Sequence, residues 1–238
     1  MPTLLLVRHG RSTANTAGVL AGWTPGVHLD DHGRAQAAAL GQRLGPLPLA
    51  ALVTSPLERC VETTAALTAV AGPSGPRPQP LVDERLGEAR YGDWTGRELR
   101  GLVKEPLWRA VQDHPSAVTF PGPEGESLRA MQQRAVDAVR EHDARVAQAA
   151  GEDAVWVAVT HGDVIKAVLA DALGVHLDLF QRIGVDPCSL SAVRYTATRP
   201  FVLRMNDTGG DVAALLPPKR RRRRVPATDA VVGGGTGA

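Results

Sequence analysis

Residues 4–10 read Leu4-Leu5-Leu6-Val7-Arg8-His9-Gly10, and this stretch decides the fold. The length and branching of the apolar run 4–7 predict a buried strand. Gly10 lets the backbone turn sharply and approach a ligand closely, and Arg8 offers a flat fork of donors suited to phosphate or carboxylate. Two interpretations follow from these residues: a nucleophilic histidine in an anion pocket, or a strand end whose polar groups face water.

A second stretch repeats this arrangement far along the chain. Residues 154–160 form another apolar run, which His161, Gly162 and Asp163 follow directly. The carboxyl ends of neighbouring parallel strands meet at one edge of a sheet, and ligands bind at that edge. The two His-Gly pairs therefore favour one shared site over two unrelated strand ends.

The segments between the two His-Gly pairs predict alternating strands and helices. Asp30 is a candidate N-cap for a helix over 31–44, and Pro56 begins a helix that carries Arg59. Arg59 could face the same edge as His9, although an ion pair with a neighbouring glutamate is the commoner arrangement for a helical arginine. The other predicted elements are a strand at 51–53, helices at 97–112, 126–150 and 164–173, and a closing hairpin of 189–195 with 200–205.

The charge of the chain is unevenly distributed. The net charge is +2, yet residues 219–224 form an unbroken run of six cations, and the remainder carries more acids than bases. A folded nucleic-acid-binding domain is expected to carry its basic charge on its own surface, so nucleic acid is not an expected partner. We predict one domain over residues 1–206 and a disordered tail over 207–238 that contains the basic run.

The two cysteines and the hydropathy pattern argue against a disulfide-rich, secreted or membrane-spanning protein. Cys60 and Cys188 are too far apart in sequence to indicate a disulfide framework or a zinc site. No signal peptide is recognisable, and no stretch reaches the roughly 20 apolar residues of a membrane span. We therefore expect a cytoplasmic protein without membrane contact. The sequence does not indicate an oligomeric state.

Four motifs, taken together, resemble the phosphoglycerate-mutase-like branch of the histidine phosphatase superfamily. They are Arg8-His9-Gly10 with Asn15, the run Thr54-Ser55-Pro56-Leu57-Glu58-Arg59, Glu88 with Tyr91-Gly92-Asp93-Trp94-Thr95-Gly96, and Thr160-His161-Gly162-Asp163. The resemblance covers residues 3 to about 206, and two further segments, 105–109 and 199–203, look like an actinobacterial subgroup. It implies a three-layer α/β/α fold with a mostly parallel sheet and a phosphate pocket at the strand ends.

The resemblance also implies a role for each motif residue. His9 would be the nucleophile and form a phosphohistidine, and Glu88 would be the general acid, with Glu84 as a less favoured alternative. The transferring phosphoryl group would be bound by Arg8, Arg59 and His161, and its positive surroundings would disfavour protonation of His9. Further substrate contacts are predicted at Gly10, Ser12, Asn15 and Gly162. No cofactor is implied, and no set of residues with metal-ligand spacing is present.

Departures from the mutase pattern favour hydrolysis over mutase activity. Arg11 stands where the mutases have a glutamate, and Arg97-Glu98-Leu99-Arg100 lacks the lysine that they carry after the glycine. No arginine pair appears between Lys104 and Gly125. We therefore predict a metal-independent phosphatase of a small phosphorylated metabolite. The alternatives are a phosphoglycerate mutase and a non-catalytic binder of phospho-ligands or nucleic acid that uses the basic tail.

Overall fold

A six-stranded sheet lies at the centre of the computed structural model, which describes residues 2–209 and Gly233. The strands are β1 (Thr3–Arg8), β2 (Leu49–Thr54), β3 (Leu81–Val82), β4 (Val155–Thr160), β5 (Leu190–Tyr195) and β6 (Pro200–Asp207). Their order is β3-β2-β4-β1-β5-β6. The first four strands in this order are parallel, and β5 and β6 add an antiparallel hairpin.

Two groups of helices cover the faces of the sheet. The helices are α1 (Thr13–Ala17), α2 (Asp31–Leu44), α3 (Glu58–Thr68), α4 (Leu99–Leu102), α5 (Pro106–Asp113), α6 (Leu128–Ala150) and α7 (Gly162–Leu173). Helices α2 and α3 supply apolar side chains to one core, and α6 and α7 supply them to the other. The predicted three-layer α/β/α fold with a mostly parallel sheet is confirmed.

The apolar run of β1 is buried because it contributes to both cores. Leu4 and Leu6 pack into the core under α6 and α7, whereas Leu5 and Val7 pack into the core under α2 and α3. This alternation is the period-two geometry of a strand whose two faces are both covered.

Two local predictions differ from the structure. The segment 97–112 is not one helix, because it is divided into α4 and α5 at Glu105, which takes an extended backbone before Pro106. The small polar residues of 11–16 predict a loop, but residues 13–17 form the short helix α1, because Ser12 and Asn15 cap its first turn reciprocally.

Strand register brings the predicted motifs together. Arg8 at the end of β1 is paired with Thr160 at the end of β4, and Thr54 of β2 is paired with Val159. His9 and His161 therefore leave neighbouring parallel strands at the same edge of the sheet. Most of the predicted tail, including its basic run, lies outside the described residues. Within the described part, no helix combines the length and apolar character needed to cross a membrane.

Candidate active site

His9 is held at the bottom of a cavity by its own loop. The turn after β1 packs so closely on Gly33 that a Cβ on Gly10 would lie only 2.6 Å from the Gly33 carbonyl oxygen. The Gly10 N–H donates to Thr63 Oγ1 at 3.1 Å. His9 Nδ1 lies 2.7 Å from the Gly10 carbonyl oxygen. Since a carbonyl can only accept, Nδ1 carries the proton and Nε2 keeps its lone pair.

Arg59 joins the two histidines. Its Nε donates to His9 Nε2 at 3.3 Å, and its Nη2 donates to His161 Nδ1 at 3.2 Å and to the Gly22 carbonyl at 2.9 Å. Its Nη1 is buried and has no hydrogen-bond partner among the described residues. A guanidinium donor that is buried and unpaired beside a histidine nitrogen indicates an anion site.

Arg8 supplies a second cation to this pocket. Its side chain is fully buried, and Nη1 donates to the Val185 carbonyl at 2.7 Å. Burial lowers the pKa of His9 well below its ordinary value, and the charges of Arg59 and Arg8 lower it further. The imidazole is therefore neutral at physiological pH, as a nucleophile requires.

His161 is also a neutral imidazole. Its Nε2 lies 2.8 Å from Ser55 Oγ, and Nδ1 accepts from Arg59, so the proton resides on Nε2. Burial and the Arg59 charge hold the pKa of His161 well below its ordinary value. A neutral His161 adds no positive charge to the pocket. Arg8 and Arg59 carry that charge.

Glu88 is a buried carboxyl that lines the same pocket. Its Oε2 lies 3.9 Å from His161 Nδ1, and Oε1 accepts from the Ala89 N–H at 3.0 Å. Burial and the negative charge of Asp163 raise the pKa of Glu88 to about 7, although the Arg59 charge opposes the rise. Glu84, the alternative acid, is exposed to solvent. A carboxyl that is half-protonated near neutral pH is suited to general acid and base catalysis.

The predicted substrate contacts lie in or beside the same cavity. Ser12 and Asn15 line it together with His9, Arg59 and Glu88. Asn15 Oδ1 accepts from both the N–H and the hydroxyl of Ser12, which leaves the Asn15 amide nitrogen to donate. Gly162 is the first residue of α7, next to His161. Their binding roles stay predictions.

Several residues that the sequence did not single out position this site. The Glu88 carbonyl accepts from Trp23 Nε1 at 2.7 Å and from Arg134 Nη2 at 3.0 Å. Ser55 orients His161, and its place in the Thr54–Arg59 motif was a signal for such a role. Arg134 lies in the second turn of α6, where an arginine is indistinguishable by sequence from a surface residue. Among the described residues, no group of three potential metal ligands is close enough to hold a metal ion.

Known proteins with phosphatase and mutase names are similar to this chain over most of its length. The family model described as "Histidine phosphatase superfamily (branch 1)" matches residues 4–208. Phosphoserine phosphatase 1 of Hydrogenobacter thermophilus is 30% identical over 211 residues, which cover 87% of this chain and 93% of the relative. A probable phosphoglycerate mutase, GpmB of Erwinia tasmaniensis, is 29% identical over 219 residues, which cover 90% and 95%.

A solved structure has the same fold. Mycobacterial glucosyl-3-phosphoglycerate phosphatase, solved in complex with VO3, superposes with a TM-score of 0.74 at 25% identity. The match covers 86% of this chain and 99% of the other. Similarity thus extends to both phosphatases and mutases.

Proposed function

The chain belongs to the histidine phosphatase superfamily, and on that premise we propose that it is a phosphatase that hydrolyses a small phosphomonoester through a phosphohistidine on His9. The observation that carries this proposal is the neutral His9, whose Nε2 lone pair lies beside the buried guanidinium of Arg59. The pocket thus combines a nucleophile, His9 Nε2, with the positive charge that the transferring phosphoryl group needs.

In the first step, the lone pair of His9 Nε2 attacks phosphorus and the bond between phosphorus and the ester oxygen breaks. The electron pair of that bond goes to the oxygen, which takes a proton from Glu88 and leaves as an alcohol. Arg8 and Arg59 stabilise the charge that spreads over the equatorial phosphoryl oxygens. Meanwhile Gly10 holds the Nδ1 proton and so keeps the imidazole oriented.

In the second step, the Glu88 carboxylate takes a proton from water while the water oxygen attacks phosphorus. The bond between phosphorus and Nε2 breaks, its electron pair returns to His9, and inorganic phosphate leaves. A single carboxyl serves both steps because its pKa of about 7 gives both protonation states comparable populations near neutral pH.

Three arginines that lie within two residues of the lining residues Ser12 and Leu99 in sequence support hydrolysis rather than mutase activity, because each is already paired with an acid. Arg11 bonds Asp30, Arg97 bonds Glu105 and Arg100 bonds Glu98. Beyond the phosphoryl clamp, the described lining of the cavity is apolar at Val19, Leu20, Ala21 and Leu99. A phosphoglycerate carboxylate would find no unpaired cation on this lining.

The test is hydrolysis of a panel of phosphate monoesters by the wild type, His9→Ala and His114→Ala, an exposed histidine that serves as the matched control. We expect His9→Ala to lose at least about a thousandfold in kcat, while the control retains its activity. Intact-mass analysis of quenched wild-type reactions is expected to show a phosphorylated chain, and vanadate is expected to inhibit. Turnover that survives His9→Ala contradicts the mechanism, and efficient isomerisation of 3-phosphoglycerate contradicts the assignment as a hydrolase.

A further inference from the structure

Asp163 is a buried carboxylate in the first turn of α7, two residues after His161. Its side chain is 1% exposed, and its two oxygens have different surroundings. Oδ1 lies 3.5 Å from Lys166 Nζ, which also donates to Gln181 at 3.0 Å. Oδ2 accepts from the hydroxyl of Tyr91 at 2.9 Å, and Tyr91 lines the same cavity as His9. Oδ2 is thus hydrogen-bonded to a residue that lines the substrate cavity.

The main chain of Gly233 shows what this oxygen can bind. Its N–H donates to Asp163 Oδ2 at 2.9 Å, and its carbonyl accepts from Arg8 Nη2 at 3.2 Å. Gly233 also lines the cavity that contains His9, so its peptide atoms lie against the space that a substrate enters. Because three bonds separate the nitrogen and the oxygen of one residue, the two positions are roughly 3–4 Å apart.

We propose that Asp163 is a specificity-determining residue that accepts a hydrogen bond from a hydroxyl or ammonium group on the alcohol part of the substrate. The inference rests on the proposed function, since it takes the Gly233 carbonyl as the stand-in for a phosphoryl oxygen on Arg8. The Gly233 N–H then stands in for a donor close to the ester oxygen. The substrate class is a phosphomonoester of a polyol or an amino alcohol.

The chemistry of a carboxylate sets the direction of this selection. An ionised carboxylate only accepts hydrogen bonds. A substrate with a methyl group at that position therefore leaves Oδ2 with the Tyr91 hydroxyl alone as its donor and forgoes the second bond. A substrate carboxylate there brings two like charges together in a cavity of low dielectric. Asp163 therefore favours donors, tolerates apolar groups less and disfavours acids most.

Four small esters of nearly equal size separate these cases in the full-length protein. They are phosphoethanolamine, 2-hydroxyethyl phosphate, n-propyl phosphate and phosphoglycolate. We expect kcat/KM for the ammonium and hydroxyl esters to exceed that for the propyl ester by at least about tenfold. Phosphoglycolate is expected to be the poorest of the four substrates. This series tests the wild type alone, so it does not depend on the folding of any variant.

Asp163→Asn is expected to lower the preference for phosphoethanolamine over phosphoglycolate by at least about tenfold, because the amide is neutral and can itself donate. Asp171→Asn is the matched control, since Asp171 lies on the same helix and pairs with Arg140, and its preference is expected to equal that of the wild type. Equal kcat/KM for the propyl and hydroxyethyl esters in the wild type overturns the role of Asp163 while leaving the phosphatase intact. Failure to hydrolyse all four esters while other monoesters of the panel are hydrolysed overturns this inference alone. Hydrolysis unaffected by His9→Ala overturns the proposed function and this inference with it.

Discussion

At the scale of single residues, the chemistry of Glu88 is set by the charges and the burial around it. Desolvation favours its protonated form, and Asp163 adds negative charge in the same direction. Arg59 and Arg8 oppose both effects, and the Ala89 N–H stabilises the ionised form. The result is a carboxyl with a pKa of about 7, well above the ordinary value of glutamate.

This pKa predicts the alkaline limb of the pH profile. The leaving oxygen needs a proton, and the protonated fraction of Glu88 falls tenfold per pH unit above its pKa. We expect kcat/KM to decline above about pH 7, and we expect Glu88→Gln to remove this limb and lower kcat by about 10²- to 10⁴-fold. The measurement is kcat/KM for an alkyl phosphate between pH 5 and pH 9, a range of roughly two units on either side of the transition.

Glu84→Gln is the control for this prediction. Glu84 is exposed and only four positions away in sequence, so its variant is expected to keep the wild-type profile. An alkaline limb that persists unchanged in Glu88→Gln would show that another group is the acid.

At the scale of elements, the N-terminus of α2 fixes the loop that carries His9. A Cβ on Gly33 would come within 1.9 Å of the Arg11 carbonyl oxygen, so the helix packs directly against that backbone. The N-cap Asp30 strengthens the junction, since it accepts from the Gly33 N–H at 2.7 Å and from Arg11 Nε at 2.7 Å. Any side chain at residue 33 must push the loop and the helix apart.

Gly33→Ala is therefore expected to destabilise the protein by about 1–3 kcal/mol and to lower kcat/KM, because the His9 loop shifts with it. Gly101→Ala in α4 is the matched control: a Cβ there meets nothing within 4 Å, so the free energy of unfolding is expected to stay equal or to rise by up to about 1 kcal/mol. Urea unfolding of both variants measures the difference. Equal stability of the two would contradict the packing argument.

The elements also show how far sequence reasoning reaches. The buried strands β1 and β4 were predictable because continuous apolar runs end in glycine-containing turns, and α2 was predictable from Asp30 and its apolar face. The division between α4 and α5 shows where periodicity alone fails. Arg59 remained ambiguous because the rotation of a helix against a sheet depends on long-range packing. The contact between Tyr91 and Asp163 joins residues 72 positions apart, and no local pattern predicts such a pair.

At the scale of the whole molecule, Gly233, near the end of the sequence, contacts the candidate active site at the end of β1. Gly233 is hydrogen-bonded to Arg8, which lies 225 residues earlier in the sequence, and to Asp163, which lies 70 residues earlier. The predicted domain boundary at residue 206 places Gly233 in the predicted tail. Gly233 is hydrogen-bonded to Arg8, which the phosphoryl group needs, and to Asp163, so we expect Gly233 and the substrate to compete for these partners.

This competition predicts the effect of Gly233→Pro in the full-length chain. Proline lacks the N–H that Asp163 accepts, and it cannot adopt the φ of +79° found at Gly233. We expect KM for 2-hydroxyethyl phosphate to fall by about two- to tenfold with little change in kcat, since the apparent affinity is limited by the fraction of molecules whose pocket is accessible. A tenfold fall corresponds to a pocket that Gly233 covers in about nine-tenths of the molecules. The inhibition constant of inorganic phosphate is expected to fall by the same factor, because phosphate needs Arg8 as the substrate does. A KM that stays constant or rises would show that Gly233 does not compete with substrate.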